Sequence, residues 1–189
     1  MTSTTDLTPR YRAAWRAAHR PLPEVPRWAV LAAYAIQLAV IPSSLWRILV
    51  VTLHVPMWEG DRGSGDLPWW FPLELYVVVL SLVSELLAFT AFGLICRWGE
   101  VWPRWVPFLR ERPVRRMAAV VPAALGSLCL TVLWGWTVVT ALLGYNIQGE
   151  RVEENFTGFG SWENAIFTVA YAPLVAWGPL LAVLTVHYY

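Results

Sequence analysis

Arg47, Glu74 and Glu85 are the charged residues set back from the ends of the four long apolar runs in this chain. Ionisable groups in hydrocarbon are rare, turn toward protein and mark functional sites by default. Glu85 falls about 16 Å from the inner end of its run, counted at 1.5 Å per residue. On the same count Gln37 is about 14 Å deep and Ser127 about 15 Å deep in theirs. A carboxyl, an amide and a hydroxyl from three runs are therefore expected in one layer near mid-depth, with Ser81 and Ser84 close to the Glu85 face. A carboxyl held there can exchange a proton or hold a cation, so Glu85 is the leading candidate for a ligand-binding group.

Glu74 precedes Glu85 by eleven positions, close to three helical turns, so both carboxyls share a helix face. Arg47 lies near the outer end of the preceding run, at a depth similar to that of Glu74. A Glu74–Arg47 ion pair is expected, either as a functional element or as a register lock between neighbouring helices. Pro42 would bend the first run just below Arg47. Trp134, Tyr171 and Trp177, with Pro122 and Pro173 nearby, would wall a pocket between helices, or else simply pack. Gly126 and Gly135 would let a neighbouring helix come close.

The elements that must position these groups are the runs themselves: about 28–53, 70–96, 117–143 and 162–188. Each exceeds the ~20 residues that cross a ~30 Å hydrocarbon layer. Backbone amides in lipid must be satisfied within the segment, which makes each run a helix. The fold class expected is all-α, a four-helix transmembrane bundle. Composition agrees: 57% of the 189 residues are hydrophobic, 14% are charged, and 13 are tryptophan, a residue enriched at membrane interfaces.

All 14 basic residues are arginine. Five stand in residues 1–27 and six between Arg97 and Arg116, against Arg62 and Arg151 alone in the other two connections. The positive-inside rule then places both termini in the cytoplasm and the protein in the cytoplasmic membrane as a multi-pass chain. Residues 1–27 form a cytoplasmic basic segment. Tyr11, Ala14, Trp15 and Ala18 at helical spacing opposite Arg12, Arg16 and Arg20 describe a short interfacial amphipathic helix, or else a basic tail that only sets topology. Residues 28–189 form the single membrane domain. The connection from Arg97 to Arg116, rich in tryptophan and proline, is expected to lie against headgroups.

Other chemistries find no support. His19, His54 and His187 are too scattered for a metal site, and Cys96 and Cys129 form no thiol pair motif, so they read as packed small residues. There is no P-loop or dinucleotide fingerprint, and no cofactor is expected. The basic segments are accounted for by topology, leaving nothing for nucleic acid.

Three stretches, Pro42-Ser43-Ser44-Leu45-Trp46-Arg47, Trp98-Gly99-Glu100-Val101-Trp102-Pro103-Arg104-Trp105-Val106-Pro107 and Tyr171-Ala172-Pro173-Leu174-Val175-Ala176-Trp177-Gly178-Pro179-Leu180, resemble small actinobacterial four-helix integral membrane proteins of no assigned activity. The resemblance implies topology and source. Three functional readings follow from the residues. The first is a protein, working as a homodimer, that binds or transports a small lipophilic or cationic molecule at Glu85. The second is an intramembrane enzyme on a lipid or isoprenoid, with Glu85 or Glu74 as general acid and Trp134 and Trp177 stabilising a carbocation. The third is a structural or accessory subunit among membrane lipids, without a small-molecule site, in which the Arg47–Glu74 pair is purely architectural.

Overall fold

The structure, a computed structural model, describes residues 22–55, 68, 71–100, 114–145, 149, 151 and 162–189. The expected N-terminal amphipathic helix and most of the arginine-rich connection lie outside these residues. The described chain is helical, with no strand beyond isolated bridges such as Tyr145–Arg151. Helix α1 (Arg27–Arg47) continues into a π-helical turn, Ile48–Thr52. Helix α2 (Leu73–Thr90) tightens into a 3-10 turn, Ala91–Leu94. Helix α3 runs over Arg116–Leu142. Helix α4 (Trp162–Tyr171) passes through a 3-10 segment, Ala172–Ala176, into α5 (Trp177–Tyr188).

Four helical stretches, of 26, 22, 27 and 24 residues, are long and apolar enough to cross a membrane. Leu86 and Leu128, 65% and 60% exposed, typify their outward faces. Such surfaces are stable only against hydrocarbon, and the chain is a membrane protein.

Prolines set the starts of α1 and α2. Pro26 and Pro72 occupy the cap positions with extended backbone, ψ 152° and 134°. Pro72 also disfavours helical backbone at Phe71. The second helix therefore begins at Leu73, three residues later than its hydropathy suggests, and Glu74 falls in its first turn. Pro42 and Pro122 are absorbed inside unbroken α-helix, whereas Pro173 coincides with the change to 3-10 geometry.

The helices alternate in direction. At one face the start of α1 meets the end of α5, where Trp28 and His187 rings lie 4.9 Å apart. Leu22 N–H donates to Ile95 O at the same face, beyond the end of α2. His54 and Glu74 meet at the opposite face.

The packing is more open than a closed bundle. The extended contacts run from α2 to α1, from α1 to α4 and α5, and from α5 to α3. Small residues explain the central place of α1. Ala29, Ala32, Ala33, Ala39, Ser43 and Ser44 are buried over a wide arc, so helices can approach it from two sides. Within its apolar window 44% of the first stretch is buried, against 6% of the third. That third helix is held almost wholly by α5.

The close approach there is made by Gly178. A Cβ on Gly178 would stand 2.6 Å from Thr131 N, 2.4 Å from Thr131 Oγ1 and 3.0 Å from Ser127 O. Gly126 and Gly135, expected to serve this purpose, are different: a methyl added at either would have nothing within 4 Å. Glycine on a helix permits contact only on the side it faces, and the hydropathy of α3 does not reveal that side. Cys96 is buried, while Cys129 is exposed on the outward surface of α3 rather than packed.

Candidate functional site

The polar residues of the first two helical stretches fall on one seam. On α1, Gln37, Ser44 and Arg47 follow at steps of seven and three residues. On α2, Ser81 and Glu85 are four residues apart, and Glu74 precedes Ser81 by seven. These steps keep a residue on one helix face. Because the helices are antiparallel, the two rows meet in rungs.

The deepest rung is Gln37 with Glu85. Gln37 Nε2 donates a hydrogen bond to Glu85 Oε2, joining residues 48 positions apart. Ten residues separate Gln37 from the start of α1, and nine separate Glu85 from Leu94, placing both about 14 Å from that face. Glu85 Oε1 accepts no hydrogen bond from a described residue and is not sealed from the surface, whereas Gln37 Oε1 is buried without a donor. Leu82 and Leu86, one turn or less away, are exposed, so the carboxyl borders lipid on one side.

The middle rung is Arg47 with two hydroxyls. Its Nε donates to Ser81 Oγ at 3.3 Å and its Nη2 to Ser44 Oγ at 3.4 Å. Ser81 is 2% exposed and Ser44 6%. The guanidinium carbon also lies 6.0 Å from the centre of the Tyr171 ring, within cation–π range. The outermost rung is His54 with Glu74, Nε2 to Oε1 3.8 Å, with both side chains about half exposed.

The expected Arg47–Glu74 pair is therefore not formed. The π turn carries the first helix five residues beyond Arg47, setting that side chain about 7.5 Å below the helix end. The late start of α2 leaves Glu74 at the rim. Arg47 meets Ser81 instead, two turns deeper than Glu74, and His54 takes the carboxylate. His54 adopts φ 53°, a left-handed backbone that histidine tolerates better than most residues.

Ser127 does not join Glu85 and Gln37. It is buried on α3 against Gly178, and its hydroxyl donates to Ala124 O at 2.9 Å. Equal depth did not translate into contact because α1 and the fourth stretch stand between α2 and α3. Trp134 and Tyr171 do come together, their rings 6.3 Å apart. Trp46 and Phe167 complete that cluster around Tyr171, at 5.6 and 4.4 Å. Trp177 is buried in the apolar core with Ile36, Leu174 and Leu181. The indole nitrogens of Trp134 and Trp177 are buried and find no acceptor.

Sequence reasoning noted Ser44, Ser81 and His54 without assigning them a role. The signal was present for the helical positions: 37, 44 and 47 on one helix, and 74, 81 and 85 on the next, recur at helical-face spacing, whereas His54 lies past the end of the first helical stretch. No protein-family model, curated protein or solved structure matches this chain.

Proposed function

We propose that the chain is a four-pass protein of the cytoplasmic membrane, with both termini in the cytoplasm, that takes up a small lipophilic or cationic molecule from the bilayer at Glu85. One observation carries this reading. Glu85 has one carboxyl oxygen held by Gln37 and the other unpartnered and open beside lipid-facing leucines. A carboxyl set back among lipid-facing residues is a candidate site for the exchange of a proton and a cation. Exchange of the two at one oxygen links uptake of a cationic molecule to release of a proton. The flanking leucines would receive the apolar part of the ligand, and Gln37 keeps the carboxyl from swinging into the acyl region. The general-acid reading has less in its favour: Glu74 is engaged by His54 at the rim, and Trp134 and Trp177 stand on elements beyond α1 as seen from Glu85.

The test is flux of a lipophilic cation such as tetraphenylphosphonium in liposomes holding the full chain under an imposed proton gradient. Wild type is expected to respond to the gradient. Glu85→Gln keeps the shape and the Gln37 neighbour but cannot ionise, and should lower proton-linked flux at least about tenfold, the kinetic equivalent of ~1.4 kcal/mol. Unchanged flux in that variant, with folding retained, would overturn the reading.

Orientation has its own check. The arginine distribution predicts that a phosphatase reporter, active only outside the cytoplasm, is silent when fused after Tyr189 and active when fused after Leu143. The reverse pattern would invert the topology.

A further inference from the structure

Arg47 is a cation in an apolar layer with no counter-charge among the described residues. Of the carboxylates along the seam, Glu74 faces His54 and Glu85 gives one oxygen to Gln37, and neither stands within ion-pair distance of Arg47. Its hydrogen bonds, to Ser81, Ser44 and the Tyr171 side chain, all end on neutral groups. A guanidinium has five N–H donors, so donors remain for an anion.

The side chain also does not escape to the outer headgroups. Ser44 is a turn deeper than Arg47 along α1, and Ser81 lies eight residues from the start of α2, about 12 Å below that end. The guanidinium thus leans inward, in the sense in which helix side chains naturally tilt toward the N-terminus. Snorkelling, the usual relief for an arginine near a helix end, is not what it does.

A second, separate group points the same way. Trp134 Nε1 is buried and has no acceptor. Its ring neighbours Tyr171, and Tyr171 in turn neighbours Arg47. Around one phenol ring the fold therefore gathers a charged donor array and an unsatisfied N–H, walled by Trp46 and Phe167. The missing chemistry is an acceptor that carries negative charge. The walls and the lipid-facing surroundings require that it be attached to an apolar body.

We infer that Arg47, with Trp134 and Tyr171, forms a site for the oxyanion head of an anionic amphiphile, a carboxylate or phosphate on an acyl chain, in the outer half of the membrane. The oxyanion would take a two-pronged hydrogen bond from the guanidinium, the geometry arginine offers best. This site is distinct from Glu85 and does not depend on cation uptake there.

The experiment uses the full chain in a neutral detergent and follows thermal unfolding on addition of oleate, phosphatidylglycerol, diacylglycerol or inorganic phosphate. Oleate or phosphatidylglycerol should raise the midpoint in a saturable way, and diacylglycerol should not. Whichever of the two acts at lower concentration identifies the head as carboxylate or phosphate ester. Arg47→Gln should weaken the response at least about tenfold, Arg47→Lys should keep part of it, and Trp134→Phe should reduce it several-fold. If Arg47→Gln does not fold, the lysine and phenylalanine variants carry the test. An equal shift with diacylglycerol, an equal shift with inorganic phosphate alone, or variants that respond like wild type would each overturn the site.

Discussion

Replacing Gly178 with alanine should destabilise the protein by about 1–3 kcal/mol, and replacing it with leucine should cost more, because both put atoms where α3 already is. The alanine methyl would meet Thr131 N at 2.6 Å and Thr131 Oγ1 at 2.4 Å. A side-chain oxygen can rotate away, but a backbone nitrogen moves only with its helix. The effect should reach beyond the local overlap, since α3 has little buried surface apart from this contact. Two results would separate a steric cause from a general one. Thr131→Ala should recover only part of the loss in a Gly178→Ala background, because it removes the hydroxyl and leaves the backbone. Gly126→Ala and Gly135→Ala, each with open space around the new methyl, should be neutral or slightly stabilising through helix propensity. Unfolding in mixed micelles by a denaturing detergent reads all five variants. Equal losses at Gly126 and Gly178 would mean that the α3–α5 contact is not the one described.

Gln37→Leu should be the most costly single change on the polar seam. The amide is the only described donor to the Glu85 carboxyl, and it works at a depth where water cannot replace it. A hydrogen bond to a charged group contributes about 1.5–3 kcal/mol net, and leaving its partner stranded adds to the loss. Exposure of Glu85 on one side argues for the lower part of that range, about 2 kcal/mol in total. The double variant Gln37→Leu, Glu85→Leu should lie close to wild type in stability, because two apolar groups demand nothing of each other. The resulting coupling energy in a double-mutant cycle is the measurement. Simple additivity of the two single changes would show that the amide and the carboxyl do not interact in the membrane.

The contrast between these two positions shows where sequence reasoning reached and where it stopped. Glu85 and Gln37 could be placed in one layer by counting residues, since a helix advances by a constant rise and the ends of apolar runs are visible. Ser127 satisfied the same count and still lies elsewhere, because depth is one coordinate and neighbourhood needs two more. Gly178 was noted only within a proline-containing stretch, yet it makes the close approach that was expected of Gly126 and Gly135. Hydropathy is similar all round α3, so nothing in its pattern tells which side meets protein.

The Arg47–Glu74 expectation failed for a more local reason. Its depths assumed that α2 starts where hydrophobicity starts, at Trp70. Pro72 delays that start by three residues, nearly one turn, which leaves Glu74 at the rim while Arg47 leans inward to Ser81. The restriction before proline was readable in advance; the facing of Arg47 toward Ser81 across the two helices was not.

By itself the sequence determined the chain's solvent and its secondary structure. Long uncharged runs cannot leave amides unpaired in hydrocarbon, so helices of these lengths follow from composition alone. Only the tertiary structure decided the order in which the helices stand, and with it which polar residues share a seam. That order depends on small side chains matching in shape across helix faces, a relation between distant residues that no single run contains.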